Sequence, residues 1–529
     1  MVFTTIEFLL FLIVALLVFY SCPIKHRWKI LLVISIVFYM ISGIQYLPFI
    51  FATSFLVFAA ARIVTKNWSK QDQAVAREGV TSQEIKQLKK QYRRKNRRIL
   101  LITLAVALGI LSYSKFLKYF LEPINGLIAF LGGKGDFAVT DIIVPLGISY
   151  YTFSTIGYLL DVYWRRYECE NNYARFALYA IYFPHILQGP IERYNRLGAR
   201  LKMELKYNSE RMLSGFQLML WGYFKKLVIA DRVNIYVTAA YENPSKTGGS
   251  ILLIAAFLDV LYIYMDFSGC MDIARGVSDL FGIELDINFK RPFFSKSVTE
   301  FWRRWHMTLG GWFKDYVYYP VSTSSWVKKA GKKVKKAWGE RAGRIVVTFF
   351  PIVITWFLTG LWHGTGKTYI AWGLYYGFVI MCSVTFQPEM QWLTKKLNIN
   401  TEATSWRVFQ MVRTTCIFAV GRLLTRPGML YKTKVAIQSI VTDFQPYKLF
   451  DGSLYTYGVS EKEFHLLVLS TILLIYISNL QEKGSVRDMV QKQNIVFRYA
   501  LMLGIIFATL ILGIYGPGYS ASSFAYMNY

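Results

Sequence analysis

The sequence is poor in charge and in cysteine for its length. Only 18% of its 529 residues are charged, against 54% that are hydrophobic and 17% that are aromatic. This composition is too apolar for an ordinary soluble domain of this size and favours a membrane protein. The cysteines form no C-x-x-C pair and no metal-type spacing, so we expect neither a disulfide framework nor a metal site. They are Cys22, Cys169, Cys270, Cys382 and Cys416.

Acidic residues are scarce as well. The chain has 32 Asp and Glu against 61 Lys and Arg, a formal net charge of +29. On a soluble domain this excess would favour nucleic-acid binding, but here the basic residues concentrate in short segments between apolar runs. That distribution is typical of the positive-inside rule of membrane proteins. We therefore expect contact with membrane lipid and no nucleic-acid partner.

Apolar runs that could cross a bilayer recur along the chain. A spanning helix needs about 20 mostly apolar residues. No Lys or Arg precedes the first run and no A-x-A site follows it, so we expect it to be retained rather than cleaved. The nine clear runs are 3–21, 29–44, 46–63, 99–116, 249–267, 344–362, 369–386, 464–480 and 496–514. Weaker runs, which contain Pro, Gly or charge, are 142–163, 173–191, 215–240 and 407–422.

These runs predict an all-α, polytopic integral membrane protein. We expect about 10–13 transmembrane or re-entrant helices in a single membrane domain over residues 1–529. Broken segments at membrane depth are tolerated only where protein or a water-filled cavity covers the backbone. The weaker runs therefore indicate an internal site.

The basic segments predict the orientation of the chain. Residues 64–98 hold 11 Lys and Arg against three acids, and residues 328–344 hold eight against one. Both are expected in the cytoplasm, the first as a basic loop formed by two amphipathic helices on anionic lipid. The basic loop before the last run is expected there too. The N-terminus and the tail at 515–529 are then extracytoplasmic, in a multi-pass protein of the cell membrane.

The five histidines differ in how strongly they suggest chemistry. His26 and His465 lie at the ends of runs beside charged residues, and we interpret both as interfacial. His185, in "YFPHILQGPIERY", is most simply a hydrogen-bonded core histidine that shapes a bend. For His306, which follows "FWRRW", a structural role is an equal alternative. His363 ends an otherwise apolar run, where desolvation would keep the imidazole neutral and able to accept a proton.

Charged residues and aromatic rings are mixed at high density between residues 262 and 320. Glycines 269, 276 and 282, together with Pro292, predict that no long helix forms there. We expect short helices that dip into the membrane, with charges meeting one another inside the fold. Residues 262–380 are thus the expected catalytic core segment.

Two long motifs resemble the signature segments of the membrane-bound O-acyltransferases, in particular the bacterial alginate O-acetyltransferase branch. They are "TEFWRRWHMTLGGWFKDYVYYP" at 299–320 and "LTGLWHG" with "WGLYYG" at 358–377. The resemblance extends over about residues 140–380. Cys270 stands where relatives usually carry an aromatic residue. Lys367, within "TGKTY", lies where relatives usually have small residues followed by Trp or Asn.

The resemblance implies acyl transfer through a central tunnel. The donor would be acetyl-CoA or an acyl-carrier phosphopantetheine thioester on the cytoplasmic side, with no bound cofactor. His363 would take the proton from the attacking hydroxyl. His306 would orient the donor or stabilise the oxyanion, with Arg303 or Arg304. The other residues expected to bind substrate or line the tunnel are Trp305, Asp266, Ser268, Asn288, Trp362 and His185.

The implied function is O-acetylation of an extracellular or cell-wall polysaccharide. The partners would be that polysaccharide and an extracytoplasmic, SGNH-type esterase-like acyltransferase. One alternative is transfer of D-alanyl or another acyl group to teichoic acid or lipid. An alternative from another class is a transporter or flippase, in which buried His and Arg relay protons. The sequence contains no inverted repeat to favour transport.

The last six residues, "FAYMNY", resemble the pattern F-x-Y-x-x-F/Y found in some bacterial acyltransferases of this kind. Tyr526 is therefore a candidate acyl carrier. A phenol, with a pKa near ~10, loses its proton more easily than a sugar hydroxyl, and an aryl ester remains activated for onward transfer. The alternative interpretation is an aromatic belt at the membrane interface.

Overall fold

The computed structural model describes residues 2–132, 144–364 and 366–515. Helices account for most of these residues, and the described chain contains no β-strand. The helices in the first part of the chain are α1 (Ile6–Ser21), α2 (Arg27–Ser42), α3 (Leu47–Val75), α4 (Ser82–Phe130), α5 (Ile148–Tyr163), α6 (Tyr173–Ile181), α7 (Phe183–Ile186), α8 (Ala199–Lys202), α9 (Ser209–Tyr223), α10 (Asp231–Glu242), α11 (Pro244–Thr247) and α12 (Gly249–Leu280).

Shorter helices and then longer ones follow. They are α13 (Val298–Arg304), α14 (Met307–Phe313), α15 (Tyr319–Ser322), α16 (Ser325–His363), α17 (Lys367–Thr385), α18 (Gln387–Lys396), α19 (Thr404–Thr425), α20 (Leu430–Thr442), α21 (Glu461–Lys483), α22 (Val486–Gln491) and α23 (Ile495–Leu512). A π-helical segment, Phe224–Ala230, connects α9 directly to α10.

The described residues form two compact units. The first contains the described residues up to Leu213 together with Val277–Asp286, and the second contains Ser214–Gly276 and the described residues from Ile287 onward. In the first, α3 packs against α4, α5 and α6, and α2 packs against α6. In the second, α16 packs along α17, and α17 packs against α19. The candidate catalytic histidines His306 and His363 both belong to the second unit.

Seven helices in the described residues are long and apolar enough to cross a membrane. They are Ile44–Val75, Ser82–Leu117, Gly249–Leu280, Ser325–His363, Lys367–Thr385, Glu461–Lys483 and Ile495–Leu512. Each contains all or nearly all of one of the nine clear apolar runs. The other two runs form α1 and α2, of 16 residues each. At about 1.5 Å per residue these are shorter than a typical hydrocarbon core. The all-α polytopic membrane fold is thereby confirmed.

The weaker apolar runs differ in how they are interrupted. Run 173–191 is broken at Tyr182 between α6 and α7, whereas run 215–240 continues from α9 through the π-helical segment into α10. Run 407–422 lies within α19, and the described part of run 142–163 contains α5. The basic segment 64–98 is helical at both ends, because α3 and α4 extend into it on either side of residues 76–81.

The prediction that glycines prevent a long helix after residue 262 was wrong for Gly269 and Gly276. Both lie inside α12, which runs for 32 residues. A Cβ on Gly276 would stand 2.5 Å from the carbonyl oxygen of Gly215, and one on Gly222 would stand 2.6 Å from that of Gly269. These glycines therefore allow α9 and α12 to approach closely. Short helices do follow after Ile287, where the chain forms α13, α14 and α15.

Helix α16 reverses direction at Gly339. This glycine has φ +86°, a left-handed value inside an otherwise helical segment. The two arms pack on each other: a Cβ on Gly331 would stand 2.3 Å from Val347 Cγ2, and the rings of Trp326 and Phe350 have centroids 5.0 Å apart. The 39 residues thus form a helical hairpin, whose second arm ends at His363.

Candidate active site

His306 occupies the junction between α13 and α14. It has φ 45° and ψ 52°, a left-handed conformation that costs free energy for a residue with a side chain. The following amide, of Met307, donates a hydrogen bond to the carbonyl oxygen of Asn288 at 3.0 Å. The turn is also anchored by Trp305, whose ring stacks on Phe301. The imidazole of His306 is only 3% exposed.

The side chain of Asn288 defines the tautomer of His306. Asn288 Oδ1 accepts hydrogen bonds from the amide of Thr308 at 3.1 Å and from its hydroxyl at 3.0 Å. The same oxygen lies 3.2 Å from Nδ1 of His306. Because a carbonyl oxygen only accepts, the proton must lie on Nδ1, which leaves the lone pair on Nε2.

Burial also favours the neutral form of the His306 imidazole. This residue lies outside the seven candidate spans, and desolvation lowers its pKa to about 3. The imidazole is therefore neutral over the physiological range, with its acceptor lone pair on Nε2.

His363 is the last residue of α16 and is 6% exposed. Its position is fixed by close packing of α16 on α17. A Cβ on Gly360 would stand 2.6 Å from the carbonyl oxygen of Tyr369, and one on Gly373 would stand 2.4 Å from that of Trp356. Gly360 thus allows the backbone of α17 to approach closely.

The structure brings the two predicted catalytic histidines together. The ring centroids of His306 and His363 are 6.5 Å apart. Trp362 contacts both rings, with centroid distances of 5.7 Å to His306 and 4.8 Å to His363. Phe267 packs edge-on against His306 at 4.7 Å, and Trp372 against His363 at 4.9 Å. Two imidazoles thus lie in a buried aromatic setting, where they can act on one reacting centre.

Asp266 and Ser268 bind buried lysines of the same unit. Asp266 is fully buried and lies 2.7 Å from Nζ of Lys226, which also pairs with Asp231 at 2.9 Å. Ser268 accepts a hydrogen bond from Lys225 at 3.0 Å. Lys225 also pairs with Asp272 at 2.5 Å, so a carboxylate neutralises each lysine, which would be costly to bury alone. Asp266 is adjacent in α12 to Phe267, so the lysine pairs support the helix that carries one wall of the site.

The two arginines before His306 have different surroundings. Arg304 pairs with Glu300 at 2.7 Å and approaches Glu482 at 3.7 Å. The side chain of Arg303 is exposed. Trp305 is buried among Phe289, Phe301 and Phe418. A role of either arginine in oxyanion stabilisation stays a prediction.

His185 lies in the first unit and is fully buried. Its Nε2 is 3.1 Å from the carbonyl oxygen of Tyr179, close to the break between α6 and α7. A Cβ on Gly189 would meet the Cα of His185 at 2.2 Å. These contacts are those of a core histidine at a bend, the simpler interpretation of its motif. Tyr526 lies outside the described residues.

Sequence reasoning missed three contacts of the histidine pair. Trp372 lies in the quoted motif "WGLYYG" and Phe267 precedes the candidate Ser268, yet neither could be assigned to a histidine without the fold. Thr308 was missed because a threonine after a histidine carries no signal of its own. Its two hydrogen bonds to Asn288 are what identify the amide oxygen and hence the tautomer of His306.

The chain is similar to known proteins over a segment that includes part of this site. A model of the membrane-bound O-acyltransferase family matches residues 171–335, which include His306. The probable alginate O-acetylase of Azotobacter vinelandii is 31% identical over 378 residues, which are 71% of this chain and 67% of that protein.

Two further relatives match over shorter segments. The probable alginate O-acetylase of Pseudomonas syringae pv. tomato is 31% identical over 336 residues, 63% of this chain and 58% of that protein. The teichoic acid D-alanyltransferase of Bacillus subtilis is 30% identical over 263 residues, 48% of this chain and 63% of that protein. The chain therefore spans between 58% and 67% of the length of these three relatives.

Proposed function

Since the chain belongs to the membrane-bound O-acyltransferase family, we propose that it transfers an acyl group, most simply acetyl, from a thioester for O-acetylation of a polysaccharide outside the cell. The observation that carries the proposal is the buried pair of His306 and His363, with ring centroids 6.5 Å apart. The names of the alginate relatives support acetyl as the group and a polysaccharide as the acceptor.

The chemical step needs one proton acceptor near the attacking oxygen. A hydroxyl oxygen of the acceptor forms a bond to the thioester carbonyl carbon while its proton moves to the imidazole of His363. The tetrahedral intermediate then collapses, the carbon–sulfur bond breaks, and the thiolate leaves and takes up the proton. The aromatic rings around His363 exclude water, which would otherwise hydrolyse the thioester.

His306 assists as a neutral hydrogen-bond acceptor. Its Nδ1 proton is directed to Asn288, so Nε2 can accept a hydrogen bond from another donor group of the bound substrates, such as a second hydroxyl or an amide N–H, and orient that substrate, while the single proton of the attacking hydroxyl goes to His363. This role differs from oxyanion stabilisation, which requires a donor. It follows directly from the tautomer and the lowered pKa of His306.

The donor enters from the cytoplasmic side as coenzyme A thioester or acyl-carrier phosphopantetheine. Both carry phosphate, and the basic segments 64–98 and 328–344 are predicted on that side of the membrane. Binding of coenzyme A should weaken as ionic strength rises. Binding that is independent of salt would contradict this electrostatic contribution.

On the outer side the acyl group continues to an extracytoplasmic esterase-like partner. Tyr526 is the proposed carrier, since an aryl ester remains reactive toward a serine hydroxyl. Intact-mass measurement after exposure to acetyl-CoA without acceptor should show one added acetyl group on the wild type and none on Tyr526→Phe. An acetyl group that persists on Tyr526→Phe would exclude this carrier.

The histidine pair is tested by acetyl transfer from radiolabelled acetyl-CoA to an acceptor extract. His363→Ala should abolish transfer, and His306→Ala should lower it at least about a hundredfold, the usual scale of acid–base contributions. His465→Ala, at an exposed histidine, is the matched control and should transfer normally. Normal transfer by folded His363→Ala would overturn the proposal.

D-alanyl transfer to teichoic acid is the second candidate, because a teichoic acid D-alanyltransferase is among the relatives. The two functions use the same histidine chemistry and differ in the group on the thioester. Presenting purified protein with acetyl-CoA and with a D-alanyl carrier protein in parallel distinguishes them. Transfer from the D-alanyl carrier alone would replace acetylation as the function.

A further inference from the structure

The helical hairpin of α16 carries an uneven distribution of charge. Its first arm, Ser325–Trp338, is called the basic arm below. The face that packs on the second arm is apolar or small, with Val327 and Gly331 buried. Six lysines of this arm are exposed; Lys335 lies beside Gly343 of the second arm, and the others are Lys328, Lys329, Lys332, Lys333 and Lys336. Lysines on the exposed side of a helix next to a membrane span are attracted to anionic headgroups.

The contacts between the two arms indicate how deep in the membrane the basic arm lies. No charged residue occurs in α16 from Ile345 to Trp362, so the apolar part of the second arm begins at Ile345. Phe350 then lies about five residues, roughly 8 Å, into that apolar part. The ring of Trp326 packs on Phe350, so the start of the basic arm lies at the same depth. Gly331 is level with Gly343 and Val347, at the boundary.

The lysines are therefore distributed across the headgroup region. Lys332, Lys333, Lys335 and Lys336 follow the boundary residue Gly331 and lie on the polar side of it. Lys328 and Lys329 start deeper and can extend their ammonium groups outward along the helix. Trp326 and Trp338 are 47% and 82% exposed. Tryptophan at both ends of the arm is the composition of a membrane-interface belt.

The acidic residues close to the hairpin leave most of this charge unbalanced. Lys335 pairs with Glu340 at 3.1 Å, and Arg341 pairs with Glu389 at the start of α18. The latter pair ties the hairpin to α18, whose Trp392 is 61% exposed with Lys396 placed over its ring. Counted over residues 325–344, eight Lys and Arg stand against the single acid Glu340.

We propose that the basic arm, with the adjoining helix α18, is a binding surface for the headgroups of anionic phospholipids in the leaflet on which the hairpin lies. The depth of the basic arm favours lipid over a soluble acidic partner, because its first lysines lie beside the apolar part of the second arm. Each lysine near an anionic surface adds to the attraction, and the sum falls with salt. The surface would fix the depth of α16, at whose other end His363 lies.

Full-length protein reconstituted in vesicles of equal phosphatidylglycerol and phosphatidylcholine provides the test. After extraction in mild detergent, the co-purifying lipids are measured by mass spectrometry. The wild type should be enriched in phosphatidylglycerol. Changing all six lysines of the basic arm to Gln should lower that enrichment at least about fivefold and remove its dependence on salt. Unchanged enrichment would overturn the proposal.

The matched control changes the same six lysines to Arg. It keeps the charge and should keep the enrichment, whereas loss of enrichment in this variant would attribute the effect to packing and also overturn the proposal. If the six-Gln variant is not monodisperse in detergent, the pairs Lys328/Lys329, Lys332/Lys333 and Lys335/Lys336 are changed separately, and each should remove part of the enrichment.

Coenzyme A binding is measured on the same variants. Coenzyme A binding that is lost in the six-Gln variant while lipid enrichment is unchanged would assign the lysines to the donor and reject the lipid surface. Lipid enrichment that is lost while coenzyme A still binds, though more weakly because only segment 64–98 keeps its charge, supports the proposal. Acetyl transfer can fail without affecting either outcome, so failure of the proposed function remains distinguishable.

Discussion

Asn288 controls the tautomer of His306, so its substitution tests the site at a single atom. In Asn288→Ala the Nδ1 proton loses its acceptor and the ring is no longer oriented. We expect kcat to fall at least about tenfold with little change in KM for the donor. Asn288→Asp acts differently, because a carboxylate beside Nδ1 raises the pKa of His306 from its burial-lowered value of about 3.

The pH dependence of activity distinguishes a role of Asn288 in orienting His306 from a role in packing alone. Only the neutral imidazole accepts a hydrogen bond at Nε2, so activity is present above the pKa of His306 and is lost as the pH falls through it. In Asn288→Asp that loss should occur at a higher pH than in the wild type. Thr308→Val, which removes another hydrogen bond from the same oxygen, is the control and should leave the profile in place. Superimposable profiles for Asn288→Asp and wild type would refute the assignment.

The sequence predicted the members of the site better than their roles. His363 stands out because titratable side chains are rare in apolar runs, and the resemblance supplied His306, Asn288 and Trp362. It also suggested Arg304 as an oxyanion partner of His306, since the two are close in the chain. In the fold, α13 places Arg304 one turn from Glu300, with which it pairs. Spacing along the chain could not distinguish these partners.

At the scale of elements, close packing of α16 and α17 positions His363. In Gly373→Ala the new Cβ would lie 2.4 Å from the carbonyl oxygen of Trp356, so the helices must separate. We expect a loss of about 1–3 kcal/mol in stability, a lower melting temperature in detergent, and reduced acyl transfer. Gly504→Ala in α23 is the control, because no atom lies within 4 Å of its Cβ. Equal melting temperatures for the two variants would contradict the packing account.

Helix boundaries were predictable where hydrophobicity alone determines them and not where glycine does. The sequence assigned Gly269 and Gly276 to breaks, but α12 continues through both because α9 packs against them. At Gly339 the opposite happened: a charged segment that resembles a plain basic loop forms a hairpin. A single sequence cannot distinguish a glycine that lets two helices touch from a glycine that adopts a left-handed φ. Only the partner helix distinguishes them.

At the scale of the whole chain, the seven candidate spans do not by themselves agree with the predicted sides of the basic segments. Segments 64–98 and 328–344 fall on one side if α4 and α12 cross between them, as expected. From 328–344 onward, α16, α17 and α21 give three crossings before the basic loop at 481–498, which would put that loop on the opposite side. One more crossing restores agreement, and α19, with 22 residues, is long enough to provide it.

The contacts of α19 indicate that it lies at membrane depth. Arg422 is buried and pairs with Asp259, with Nε 2.7 Å from Oδ2, and Asp259 lies within the apolar run of α12. Arg407, Arg413 and Arg422 lower the mean hydropathy of α19, which explains its absence from the candidate spans found in the described residues. A charge that is paired with a neighbouring helix does not prevent a segment from spanning.

We predict that α19 crosses the membrane, so that residues just before and just after it lie on opposite sides. Thr401→Cys and Phe450→Cys place thiols at exposed positions before α19 and in the connection that follows α20. In spheroplasts, a membrane-impermeant maleimide should label Phe450→Cys at once and Thr401→Cys only after permeabilisation. Glu78→Cys, in the turn between α3 and α4, marks the predicted cytoplasmic side and should behave like Thr401→Cys. The parent protein with its five native cysteines gives the background. Equal labelling of Thr401→Cys and Phe450→Cys before permeabilisation would mean that α19 does not cross, and the basic loop before α23 would then lie outside.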